Sequence, residues 1–350
     1  MSDAPQAAPP RFFVDGLLAE TSAASDTGPR LLGSPTPRFA PGEAEHARKA
    51  LRLRAGDLVE GLDGQGGRWP LRITRLERRE AALQLEGEPT FDPAPGEPGA
   101  PLPWIEVAVA WPRQTRGTEM LGRLVQLGIA AVRPLEARHQ GPQGSPWGPR
   151  AGSEPPERWS RLAREACKQS GRTWLPELLD PCSPQALVDR LEGRNGSGER
   201  DDPARGPVEV LGTGEALGPG EDQEEGTEVA SPAGGEPSTA PSPSTVAAAR
   251  LTGEPEASAV LAVLDPHRGM AFDTWARSLL PLVQGSGPRR GTRAAPIVLV
   301  IGPEGGFAAA ETDALLLAGA TAVRLTPHVL RIETAAEAAA AVCATILNRL

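Results

Sequence analysis

Tyrosine is absent from this 350-residue chain, lysine occurs only twice, at Lys49 and Lys168, and cysteine only three times. Each scarcity removes a class of explanation. Cys167, Cys182 and Cys343 are odd in number and lack metal-type spacing, and the four histidines are scattered, so neither a disulfide framework nor a bound metal is expected. No apolar run reaches the roughly 18 residues a membrane helix needs, and no leader with an apolar core is visible. A cytoplasmic protein without a membrane partner is expected. The lysine deficit accompanies 34 arginines and abundant Ala, Gly and Pro, a bias of composition from which no function follows.

Glycine and proline, by contrast, are plentiful: 40 and 38 residues, about 22 per cent of the chain together. Much of this excess falls in residues 192–256, which show neither helical nor strand periodicity and read as a disordered insert. The insert holds 14 acidic and 4 basic residues, net −10 against −9 for the whole chain. The acidic balance therefore belongs to the insert, and the remainder is close to neutral and free to carry a basic face. The length predicts two domains. After a tail at 1–10, short alternating strands over residues 11–92 predict a small β-barrel, and a Pro-rich linker follows at 93–103.

From residue 104 the pattern changes. Apolar strands at 104–111, 130–132, 260–264, 297–301 and 322–325 alternate with helical periods at 120–127, 156–170, 272–283, 309–318 and 333–347. The alternation predicts an α/β domain over residues 104–350 with a mostly parallel sheet, interrupted by the insert. Two of its loops carry chemistry. Strand 297–301 runs into Gly302, Pro303, Glu304, Gly305, Gly306 and Phe307, where glycines bring bare backbone close to a ligand. One helix later come Val329, Leu330, Arg331, Ile332, Glu333 and Thr334. Ligands of such sheets sit at the carboxyl ends of the strands, so both loops are expected to wall one site. The macrodipole accounts for Glu333 at a helix start but opposes Arg331 there, so Arg331 is better explained by a substrate oxygen. Glu304, between glycines, has no structural explanation.

Taken in order, residues 11–14, His46 with 51–57, 62–64, 126–129, 169–172, 301–307 and 329–335 resemble the RsmE family. Those bacterial methyltransferases of the knotted SPOUT superfamily modify N3 of a uridine in 16S rRNA of the small ribosomal subunit. The resemblance implies a PUA-like barrel in front, a trefoil-knotted parallel sheet behind, S-adenosyl-L-methionine as cofactor, and a homodimer. It further implies that Gly302, Pro303, Glu304, Gly305 and Gly306 form one cofactor wall and Val329, Leu330, Arg331, Glu333 and Thr334 the other. Arg331, Glu304 and Glu333 become the catalytic candidates. Arg11, His46, Arg52 and Arg54 would lie on an RNA face of the barrel, with Arg138 and Arg172 nearer the cleft. Three departures from the family pattern stand out: Gln126 for Glu, Lys168 for an acidic residue, and Thr326-Pro327-His328 for Gly followed by Pro and Arg. The last touches the cofactor loop and, with Gln126, motivates the alternative of an RNA-binding or ribosome-assembly module that has lost catalysis; a SPOUT enzyme methylating a ribose 2′-hydroxyl or another base position is the other alternative.

Overall fold

The computed structural model describes residues 8–16, 19–20, 30–31, 37–113, 115–140, 157–193, 259–284 and 295–348. The expected tail up to residue 7 and the acidic insert from 194 lie outside the described residues.

The first sheet is built from β1 (Arg11–Asp15), β4 (Arg38–Phe39), β5 (Leu58–Leu62), β6 (Gly67–Leu76), β7 (Ala81–Leu85) and β8 (Thr90–Phe91). A separate two-residue ladder joins β2 (Ala19–Glu20) to β3 (Arg30–Leu31). The strand order is β4-β1-β5-β6-β7 with β8 added to β6, and the terminal strands β4 and β7 come together, so the sheet is nearly closed. Period-two alternation explains its core: Gly67, Trp69, Leu71 and Ile73 of β6 are buried, and Trp69, Leu71 and Ile73 pack with Phe12, Val14 and Val59. Helix α1 (Glu43–Lys49) was not expected. It follows Gly42, whose φ of +86° suits glycine.

The second sheet has seven strands in the order β11-β10-β9-β14-β12-β15-β13, and every pairing in it is parallel. These are β9 (Ile105–Ala110), β10 (Ala131–Leu135), β11 (Glu177–Leu178), β12 (Val260–Leu264), β13 (Met270–Ala271), β14 (Ile297–Ile301) and β15 (Thr321–Arg324). Continuous apolar strands are what a sheet covered on both faces requires. Ile297, Leu299 and Ile301 of β14 face a layer of α2 (Thr115–Gln126), α3 (Glu157–Ser170), α5 (Phe272–Ser278) and α8 (Ile332–Ile346). Val298 and Val300 face α4 (Pro184–Leu191) and α7 (Ala309–Leu317).

The predicted helix at 272–283 is broken. It ends with α5, and α6 (Leu280–Gln284) starts anew with Pro281 in its first turn. Proline has no N–H to continue the ladder. Helix α4 was missed, although Ser183 accepts the Ala186 N–H through its side chain and Pro184 opens the helix. Burial pushes the Cys167 thiol up to about 11 and that of Cys343 up to about 12, so both behave as small apolar groups. No described helix is long and apolar enough to cross a membrane, and no group of metal-ligating side chains occurs among the described residues.

Candidate active site

Three neighbouring parallel strands, β14, β12 and β15, release their chains at one end of the sheet, and their loops enclose a cavity of about 340 Å³. The glycine loop forms the first wall. Gly306 N–H donates to the Pro303 carbonyl at 2.8 Å, closing a turn that leaves Glu304 exposed at its tip. Gly306 has φ +72°, and a Cβ on Gly302 would come within 3.0 Å of the Phe307 ring. The positive φ favours glycine at 306, and a side chain at 302 would need the Phe307 ring to shift. The loop is held from behind by Glu311, whose carboxylate accepts the Ala308 N–H at 2.8 Å and the Arg138 N–H at 2.9 Å. His139 Nδ1 also donates to the Gly306 carbonyl at 3.1 Å.

The second wall is residues 325–330. Thr326 Oγ1 donates to the His328 carbonyl at 2.9 Å and accepts the His328 N–H at 3.2 Å, a short closed turn on the cavity wall. Val329 lines the cavity yet is 64% exposed, an apolar surface available to a ligand. Arg331 follows as the residue before α8, exposed and extended, with no side-chain partner among the described residues. A free cation at a helix N-terminus is electrostatically unfavourable unless an anion joins it.

These findings place a ligand cavity and unspent charges at the carboxyl ends of a parallel sheet. The model of the RNA methyltransferase domain family matches residues 99–196 and 250–344. The chain belongs to this family. Among curated proteins, ribosomal RNA small subunit methyltransferase E of Synechocystis sp. is 28% identical over 151 residues, 43% of this chain and 45% of the relative. The protein of that name from Mycobacterium tuberculosis is 49% identical over 57 residues, 16% and 22% of the two chains. The match thus spans less than half the length of these relatives. Among solved structures, ribosomal RNA small subunit methyltransferase E of Neisseria gonorrhoeae, bound to S-adenosyl methionine, superimposes with TM-score 0.56 at 19% identity, covering 97% of this chain and 98% of that one. A Legionella pneumophila structure holding SAM as cofactor gives 0.58 at 17%, covering 96% and 97%. At these identities the likeness is one of fold.

Within this RNA methyltransferase domain the expected site residues divide. Gly302, Pro303, Glu304, Gly305, Gly306, Val329 and Leu330 all line the cavity. Arg331, Glu333 and Thr334 do not. Glu333 turns inward: Oε1 accepts from Arg116 of α2 at 3.4 Å, while Oε2 is buried and without a partner among the described residues. An oxygen sealed in this way is poorly placed to take a proton from a substrate, whereas Glu304 is open to the cavity.

His46, Arg52 and Arg54 are exposed on the barrel, and Arg138 is exposed beside the glycine loop. Two further candidate arginines are engaged within the protein, and for Arg172 the expectation needs correction. Arg172 donates through Nη1 to the carbonyls of Val125 and Ile129, at 3.1 and 2.7 Å, and burial lowers its pKa, so it braces the fold. Arg11 is engaged at the junction with α3, paired to Glu60 at 2.9 Å and donating to the Lys168 carbonyl at 3.2 Å. Residues 265–268, a third wall after β12, were missed, as was Glu311. Asp265-Pro266 directly after a buried strand was the available signal.

Proposed function

We propose that the chain is an S-adenosylmethionine-dependent methyltransferase that methylates N3 of a uridine in RNA of the small ribosomal subunit. The observation that supports it most is the convergence of the glycine loop, with Glu304 at its tip, and the 325–330 loop on one cavity, with Arg331 the next residue beyond its wall. The cavity fits the cofactor. Its volume is in the range of small-molecule sites, Ile301, Phe307, Leu325 and Leu330 offer apolar surface for a purine, and the glycines expose backbone groups that recognise its edges. The family, and the curated relatives named for small-subunit rRNA, support the substrate class.

When bound, the cofactor supplies an already activated sulfonium methyl. What the protein adds is alignment, charge and proton removal. Uracil N3 carries a proton and becomes a nucleophile as that proton departs. Glu304 accepts it, and Arg331 holds the negative charge that develops on an adjacent uracil oxygen. The first sheet serves as a PUA-like RNA platform, with His46, Arg52 and Arg54 positioning phosphates without reading sequence.

We further propose a trefoil knot: β15 lies beyond β12, yet α8 returns to pack on β9 and β14, so the last segment re-crosses the β12–β14 connection. The homodimer and the cytoplasmic setting belong to the same reading. The test is to incubate the full-length protein and labelled S-adenosylmethionine with small ribosomal subunits lacking the modification, then identify the labelled nucleoside. Label in 3-methyluridine is expected. Label in another nucleoside overturns the target, and no label with no cofactor binding overturns the enzyme.

A further inference from the structure

The cavity wall between the two expected loops holds a charge arrangement that the proposed mechanism does not use. Asp265 Oδ1 accepts the N–H groups of His267 and Arg268 at 2.8 and 3.1 Å, and Oδ2 accepts Arg268 Nε at 3.0 Å. Burial alone would raise the Asp265 pKa; these three bonds and the Arg268 charge outweigh it and hold the group below its ordinary value. The guanidinium is thereby gripped on its Nε edge by a carboxylate that stays ionised. Its Nη1 and Nη2 have no protein partner among the described residues, and the side chain is 63% exposed on the cavity wall.

The loop is also fixed at its far end. Gly269 has φ +99°, and a Cβ there would lie 2.2 Å from the Ala322 carbonyl oxygen. Met270 then pairs with Val323 of β15. An arginine fork with two idle donors on a rigid turn matches the geometry of a carboxylate.

We propose that Arg268 anchors the carboxylate of the amino-acid end of S-adenosylmethionine, with Asp265 as its positioning residue. The inference rests on the cofactor reading above and adds an orientation to it. Glu304 lines the same cavity and repels a carboxylate, so the two charges favour one direction of binding. His267 and His328 also line the wall, but neither side chain is held by an anion among the described residues. Of the basic side chains lining the cavity among the described residues, Arg268 alone is held by a carboxylate.

The test is calorimetric and uses the full chain with two probes, S-adenosylhomocysteine, which keeps the carboxylate, and 5′-methylthioadenosine, which lacks the whole amino-acid end. Arg268→Met is expected to weaken S-adenosylhomocysteine about 10- to 100-fold, the value of a charge-assisted hydrogen bond, while leaving methylthioadenosine unchanged. Arg268→Lys should recover part of the loss, and Asp265→Asn should show a smaller loss confined to the same probe. Equal weakening of both probes would mean that Arg268 only supports the loop, and the proposal would be wrong. So would unaltered S-adenosylhomocysteine binding in Arg268→Met. Failure of the unaltered protein to bind either probe overturns the cofactor reading itself, an outcome recognisable without any variant.

Discussion

Two glutamates flank the site, and their surroundings differ. Glu304 stands exposed at the tip of a glycine turn, whereas Glu333 sits 217 residues from Arg116 in sequence and is turned toward it. Glu304→Gln should lower the single-turnover rate about 100- to 10,000-fold, the usual worth of a general base, with cofactor affinity kept. Glu333→Gln should leave that rate near its original value and lower the thermal midpoint instead, because it removes a partly buried ion pair. A slow but normally stable Glu333→Gln protein would reverse the assignment. The sequence could separate Glu304 from its glycine neighbours, but it gave no means of seeing Arg116 across the fold, so Glu333 read as equally catalytic. Arg172 was misread for the same reason: a cation looks alike on the page whether it meets RNA or two carbonyls. Asp265 adds a pH dependence. Its folded pKa lies below that of the free chain, so its stabilisation is fully present above the ordinary Asp value of about 3.9 and is lost as pH falls through the lowered one.

Elements were legible where a run of one period was long enough to define them. Residues 260–264 and 297–301 are strands at the expected bounds, because unbroken apolar residues at strand length have nowhere to go but a covered sheet. Short α1 and α4 passed unseen, their apolar faces being only two or three residues each. What no periodicity reveals is how one loop is held by another. Glu311, on the first turn of α7, ties the glycine loop to the Arg138 turn through two backbone N–H groups. Those bonds keep the glycine wall in place against the exposed Arg138 turn. Glu311→Ala should therefore raise the KM for the cofactor about 10-fold, the loss of two hydrogen bonds of roughly 0.5–1.5 kcal/mol each, with kcat changed less. Glu311→Gln, which retains one accepting oxygen, should recover part of that affinity. A fall in kcat alone, with the cofactor KM unmoved, would show that the tie serves the chemistry and not the wall.

At the scale of the molecule, residues 168–175 tie the barrel-like sheet to the parallel sheet by hydrogen bonds, beside the apolar contacts that Phe13, Ala40 and Leu62 make with the core of the second sheet. Gly66 N–H donates to the Thr173 carbonyl, Arg68 donates to the Gly171 carbonyl at 2.7 Å, and Thr173 and Trp174 both donate to Asp92. At its start Lys168, from α3, reaches both carboxylate oxygens of Glu43 on α1 at 2.8 and 2.9 Å, with both side chains more than nine-tenths buried. This pair gives a physical reason for a departure that the family resemblance alone left unexplained, since an acidic residue at 168 would face Glu43 with like charge. Lys168→Met should strand the Glu43 carboxylate in the interior and cost about 3–5 kcal/mol in urea denaturation. The double replacement Lys168→Met with Glu43→Leu should recover most of it, because an apolar pair of similar volume often equals a buried ion pair. Cofactor binding should persist in the folded double variant, since neither residue lines the cavity. A neutral Lys168→Met would mean that Glu165, 2.7 Å from the same ammonium, and not Glu43, is its working partner. The junction would then rest on the hydrogen bonds of residues 171–174 and the apolar contacts of Phe13, Ala40 and Leu62.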